Sequence, residues 1–265
     1  MEPGLAAGDL LPEIRTALPG PKSTELARDL ALYEAPGINT LGPGDAPSLV
    51  WRAARGANVL DLDGNRFLDF TSGFGAAAIG HRHPRVVAAL VRQSSELLHG
   101  LGDVAAHPSR IELAGRLCAL APVDDPRVHF AVSGADAVEI AWKTALLSTG
   151  RRRLIAFDPG YHGLTLGALA ATSRPEFRAP FAAQLSPHVD RLPFGCPLER
   201  IAELLVPRGE TASDVAALLV EPIVGREGVL VPPAGWLAGV ARLCHEAGVV
   251  FILDEILTGF ARTGR

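Results

Sequence analysis

Several features that would assign a class at once are missing from this 265-residue sequence. Basic residues form no run beyond Arg151-Arg152-Arg153, and the formal net charge is −4. That balance argues against a nucleic-acid-binding surface. The triplet follows Gly150 and reads as a solvated helix end. Cysteines are few: Cys118, Cys196 and Cys244 are odd in number, far apart and set in apolar stretches. They suit buried thiols in a reducing compartment better than a disulfide framework or a zinc site. No His-Glu-x-x-His or Cys-x-x-Cys is present, so no metal is expected. No Gly-x-Gly-x-x-Gly follows a strand, which sets aside a dinucleotide-dependent dehydrogenase. Apolar runs such as Ala247 to Leu253 are too short to span a membrane. The opening Met-Glu-Pro-Gly has no basic segment followed by an apolar one, so no signal peptide is expected. These absences predict a soluble, cytoplasmic protein with neither nucleic-acid nor membrane partners.

What is present is a 48% hydrophobic chain, enough for one large core or two small ones. Residues 1 to about 48 are rich in Pro and Gly and predict an arm wrapping over something else, with one helix near Ser23 to Tyr33. From Leu49 to Phe70 the pattern turns to strands, and Asp63-Gly64-Asn65 marks a hairpin turn between Val59–Leu62 and Phe67–Phe70. Helices are predicted over Arg85 to Leu98, opened by Pro84, and over Ser109 to Leu120. After Pro122 short apolar strands (Val128–Val132, Leu154–Phe157, Ala216–Val220, Val249–Leu253) alternate with amphipathic helices. One helix should bury Val138, Ala141, Trp142 and Ala145 and end at Gly150. Another should bury Leu237, Val240, Ala241 and Cys244 and end at Gly248. The beat implies an α/β fold with a mainly parallel sheet and flanking helices.

Open α/β sheets bind ligands beyond the carboxyl ends of their strands, and distinctive polar residues fall there. Ser133-Gly134-Ala135 enters a helix, as an ordinary N-cap or as a phosphate seat. Asp158 and Tyr161-His162-Gly163 follow the second strand; Tyr161 could stack on a flat heterocycle or simply cover the sheet edge. Glu221-Pro222 follows the third strand, as a site wall or a structural partner of an Arg. Asp254 follows five apolar residues, where a carboxylate is costly without a cation or donors beside it. A protonated pyridine nitrogen would serve, and a turn residue is the plainer alternative.

In order and spacing these segments resemble the class III, fold type I, pyridoxal-phosphate (PLP) aminotransferases. Asp61 to Asp69 resembles the family's N-terminal hairpin, and Gly80-His81-Arg82-His83-Pro84 its Gly-His-x-His-Pro turn. Ser133 to Glu139 resembles the phosphate loop, Phe157 to Gly167 the ring-stacking loop, and Glu221-Pro222-Ile223 the Glu-Pro strand end. Leu253 to Gly264 closely follows the signature around the pyridine-binding aspartate. The likeness runs from about residue 45 to the last residue.

The resemblance implies an arm and small-domain segment over 1–80 and a PLP-binding large domain over 81–265. It implies that Gly134 and Ala135 hold the cofactor phosphate beside Ser133, and that Tyr161 stacks on the ring with His162 beside it. Asp254 would bond the ring nitrogen and Glu221 would line the site. An amino group would pass from an amine or amino acid to a 2-oxo acid or aldehyde, in a homodimer. Three departures stand out. Ala135 replaces the usual Ser or Thr, removing a hydroxyl contact to phosphate. Leu257 stands where some members carry Gln. The family's Schiff-base lysine follows the Asp254 motif, whereas Lys22 and Lys143 are the only lysines here. The chain is therefore expected to be an N-terminal portion, inactive alone, with no catalytic residue of its own and with uncovered sheet edges that favour aggregation. Two alternatives remain at this stage. One is another class III PLP enzyme (an aminomutase, racemase or decarboxylase), and the other is a non-catalytic remnant or binding protein.

Overall fold

A computed structural model describes residues 5, 8–35, 49–102, 104–205 and 213–264. Contacts divide the chain into one unit over residues 1–113 and another over 114–265. Of the Pro- and Gly-rich arm, residues 1–4, 6–7 and 36–48 lie outside the described residues.

In the first unit, β1 (Trp51–Arg55), β2 (Asn58–Asp61) and β3 (Arg66–Leu68) form an antiparallel sheet in that order. The predicted turn at Asp63-Gly64-Asn65 is borne out, with Val59 opposite Phe67. Asp61 closes the turn by accepting from the backbone of Asp63 and of Asn65. The arm lies along this sheet. Asn58 exchanges two bonds with the backbone of Leu10 at 2.8 and 2.7 Å, and Asn65 accepts from the amides of Arg15 and Thr16. Helix α1 (Pro21–Tyr33) starts on Asp63, whose carboxylate accepts from the amides of Lys22 and Ser23 at 2.9 Å. Pro84 opens α2 (Pro84–Glu96), as predicted, and α3 (Pro108–Leu120) begins one residue before the predicted Ser109 start. Helix α3 runs across the division between the units.

The second unit is built on a four-stranded parallel sheet, ordered β5-β4-β6-β7. Its strands are β4 (Arg153–Asp158), β5 (Val189–Pro193), β6 (Val215–Val220) and β7 (Val250–Leu253). Side chains alternate between faces with the strand period of two. Ile155, Phe157, Leu218 and Val220 pack with Ile201, Trp236, Val240 and Cys244 of α7 (Leu198–Leu205) and α8 (Trp236–Glu246). Leu154, Ala156, Ala217 and Leu219 pack on the other side with α4 (Gly134–Thr149) and α5 (Leu166–Ala171). Each fully buried aliphatic or aromatic side chain here contributes about 1.5–3 kcal/mol. A short α6 (Pro175–Arg178) leads through a single tight turn towards β5.

Two sequence expectations need correction. Val128–Val132 is not a strand. Val132 is 95% exposed, so this apolar run is not the covered strand its composition suggests; strand propensity reports fit to a half-buried pleated surface and yields to context. The arginine triplet is not merely a solvated helix end. The Arg151 guanidinium donates to the carbonyls of Val215, Ala247 and Gly248, Arg152 pairs with Asp214, and Arg153 lies in β4 paired with Asp190. Gly150, at φ +68°, ends α4 as expected.

Candidate functional site

The carboxyl ends of β4, β6 and β7 carry the residues singled out above, and hydrogen bonds draw them together. Val220 and Leu253 are paired at the last rung of the β6–β7 ladder. Glu221 and Asp254 therefore leave neighbouring strands side by side, with the Asp254 amide donating to the Val220 carbonyl at 2.8 Å.

Asp254 is buried beneath His162. The His162 Nδ1 to Asp254 Oδ2 distance is 2.7 Å, with the two side chains 1% and 4% exposed. A carboxylate can only accept, so Nδ1 carries the hydrogen and the Nε2 tautomer is excluded for the neutral ring. The other carboxylate oxygen accepts from the Ile256 amide at 3.2 Å. The backbone of His162 is fixed in turn: its amide donates to the buried Thr172 hydroxyl, which donates to the Gly163 carbonyl, each at 2.9 Å. With two donors already on it, the Asp254 carboxylate retains lone pairs for one cationic N–H. Sequence spacing offered no hint of this pairing across 92 positions, and neither did it point to Thr172.

Among the described residues no Arg pairs with Glu221. Its carboxylate accepts from the amides of Tyr161 (2.9 Å) and Gly225 (3.1 Å), tying the loop after β4 to the loop after β6. Burial pushes its pKa above the usual carboxylate range, and the two amide bonds oppose that rise. Asp158, also at a strand end, is turned away to a fork-like pair with Arg191.

Ser133 is the N-cap of α4, its hydroxyl accepting from the Asp136 amide at 3.2 Å. Asp136 accepts in return from the Val132 amide at 3.0 Å. As the first residues of the helix, Gly134 and Ala135 have amides with no intrahelical acceptor, at the positive end of the helix dipole. The helix end joins the site through close packing. A Cβ on Gly134 would lie 3.0 Å from Ile256 Cδ1, and one on Gly163 would lie 2.5 Å from Ala135 Cβ. Gly163 also holds φ +119°. Small residues at 134, 135 and 163 thus let the helix start approach both loops. The arrangement offers helix-start amides suited to an anion, a buried carboxylate suited to a cationic N–H, and an aromatic residue, Tyr161, whose backbone is held by Glu221 at the neighbouring strand end.

Among the described residues no group of His, Cys, Asp and Glu could hold a metal ion, and no helix is long and apolar enough to cross a membrane.

The sequence matches the family described as aminotransferase class-III over residues 42–265. Acetylornithine aminotransferase of Methanopyrus kandleri is 39% identical over 210 residues, which cover 79% of this chain and 52% of that protein. Putrescine aminotransferase of Pectobacterium atrosepticum is 38% identical over 226 residues, covering 84% and 47% respectively. Among solved structures, the taurine:2-oxoglutarate aminotransferase of Bifidobacterium kashiwanohense, in complex with PLP and glutamate, superposes with a TM-score of 0.82 at 30% identity. That match covers 96% of this chain and 58% of the other. The chain spans about half the length of the curated relatives it matches. The fold is that of the PLP fold type I aminotransferases, and the chain belongs to the class-III aminotransferase family.

Proposed function

We propose that this chain supplies the cofactor-holding face of a PLP-dependent aminotransferase that passes an amino group from an amine or amino acid to a 2-oxo acid. The observation that carries the reading is the buried Asp254 carboxylate, held by His162, with Glu221 at the neighbouring strand end holding the Tyr161 amide. Bound there, PLP would supply an electron sink for the charge left when a proton leaves the substrate carbon.

The chain's own residues have defined tasks in this reading. Asp254 accepts a hydrogen bond from the ring nitrogen and keeps a proton on it. His162 Nδ1–H holds Asp254 in place, so the carboxylate is oriented before any ligand arrives. Tyr161 covers one face of the ring, and Glu221 holds the Tyr161 backbone. The Gly134 and Ala135 amides, capped by Ser133, receive the phosphate at the α4 N-terminus. All of these groups lie within residues 81–265. Lys143 is exposed on α4 and lines a groove with Arg151 and Arg152. Those arginines precede β4 while Tyr161 follows it, so Lys143 serves the opposite end of the strand. The 265-residue chain is accordingly expected to bind PLP without turning over substrate. Homodimerisation and a cytoplasmic location complete the proposal.

Calorimetric titration of the chain with PLP tests it. Saturable binding is expected, weakened at least roughly tenfold by Asp254→Ala. Absence of binding, or equal binding by the variant, would overturn the assignment. Amino transfer from an amino acid to 2-oxoglutarate by the chain alone would overturn the expectation of no turnover.

A further inference from the structure

Arg226 has no task in the reading above, yet it lies against the ring of Tyr161. Its guanidinium carbon lies 4.2 Å from the centroid of the Tyr161 ring. One buried carboxylate positions both partners, because Glu221 accepts from the amide of Tyr161 and from that of Gly225, the residue before Arg226. The loop is closed on itself by Val224 and Leu230, which exchange two backbone bonds of 3.0 Å.

Four acids of the surrounding loops are engaged elsewhere. Glu227 pairs with Arg174 at 2.5 Å, and Arg174 also donates to the Arg226 carbonyl at 3.2 Å. Asp254 is held by His162, Asp158 by Arg191, and Glu221 by two amides. Among the described residues no carboxylate pairs with the Arg226 guanidinium. A half-buried guanidinium stacked on an aromatic face has its plane fixed while its N–H edge stays available. That edge matches a carboxylate in fork geometry.

We propose that Arg226 is a specificity-determining residue that receives a carboxylate of the amino substrate, so that amino acids are favoured over simple amines. The inference rests on the reading that Tyr161 stacks on the PLP ring. A group held on Tyr161 then lies next to whatever is attached to that ring.

Two probes that need no lysine test it on the 265-residue chain: N-(5′-phosphopyridoxyl)-L-glutamate and N-(5′-phosphopyridoxyl)-butylamine, compared by calorimetry. The chain is expected to bind the glutamate probe roughly tenfold or more tightly than the butylamine probe. Arg226→Gln should bring the ratio close to one while leaving the butylamine probe's affinity unchanged, and Arg226→Lys should keep part of the preference. The inference is overturned if the wild-type chain shows no preference or if Arg226→Gln retains it. It is also overturned if Arg226→Gln tightens both probes equally, because Arg226 would then only occupy the ring's place. Failure of both probes to bind would overturn the cofactor reading itself, a result distinct from the others.

Discussion

His162 and Asp254, 92 positions apart in sequence, form a buried pair with 2.7 Å between Nδ1 and Oδ2. Removing one member of a buried pair leaves the other without compensation, at a cost of about 3–5 kcal/mol. His162→Ala is therefore expected to destabilise the chain by about 3 kcal/mol in urea unfolding. Asp254→Asn should cost less, because an amide oxygen can still accept from Nδ1–H. A change within about 0.5 kcal/mol for His162→Ala, the range of an ordinary surface substitution, would mean that the pair does not form.

Glu221 gives a pH dependence of defined sign. Burial raises its folded pKa above the ordinary 4.5 despite the two amide bonds. The folded state therefore holds the proton more tightly than the unfolded chain does. Its contribution is fully present below about 4.5 and is lost as pH rises through the raised folded value. Glu221→Gln cannot ionise, so wild type should lose stability relative to the variant as pH climbs from 4.5 towards neutrality. Urea midpoints at several pH values in that window measure the difference. Parallel profiles, or a difference of the opposite sign, would refute the assignment.

The strands Leu154–Phe157 and Ala216–Val220 were legible because both faces of each are covered, which leaves an unbroken apolar run; Val249–Leu253 was legible from the same apolar run although β7 is only partly buried. β5, Val189–Pro193, was not legible. It is an edge strand carrying Asp190 and Arg191, and their charges are absorbed by Arg153 and Asp158, distant in sequence. Val128–Val132 erred in the other direction, since its apolar composition suggested a covered strand where Val132 is 95% exposed. The polar residues at strand ends could be located from strand positions alone. Their partners could not: Glu221 on two amides, and His162 under Asp254, depend on register and loop path across three strands. Arg226 escaped notice because nothing in its local sequence separates a stacked arginine from a solvated one.

Gly163 is a site where glycine is required on two counts, positive φ and contact with Ala135. Gly163→Ala combines backbone strain of about 1–3 kcal/mol with overpacking of similar size. A loss of about 2–4 kcal/mol is expected by urea unfolding. Adding Ala135→Gly should return part of that loss by relieving the contact but not the strained φ. Additive losses in the double variant would show that the contact does not carry the effect.

The thiols should differ sharply in reactivity. Burial pushes the Cys244 thiol up to about 12 and raises that of Cys196, whereas Cys118 is only half-buried. The thiolate is the reactive form, so an aromatic disulfide reagent at pH 8 should label Cys118 in the native chain well before the other two. Denaturant should expose all three cysteines. Labelling of Cys244 at the rate of Cys118 would mean that the α8–sheet core opens far more readily than its packing allows.

Ala135 offers the most direct measure of what the helix start contributes to ligand binding. In the proposed phosphate seat its methyl group would leave backbone amides alone, whereas a serine there would add an O–H donor at the positive end of α4. A charge-assisted hydrogen bond adds about 1.5 kcal/mol at the lower end of its range, or roughly tenfold in affinity. Gly163 limits the gain, since the residue 135 side chain is already in contact with that backbone, and a hydroxyl must find a rotamer clear of it. Ala135→Ser is therefore expected to tighten PLP binding between about threefold and tenfold, within the net worth of such a bond, with stability changed by under about 1 kcal/mol. Unchanged affinity in a stably folded variant would place the phosphate elsewhere than the α4 N-terminus. Asp254 would then be left as the chain's main hold on the cofactor.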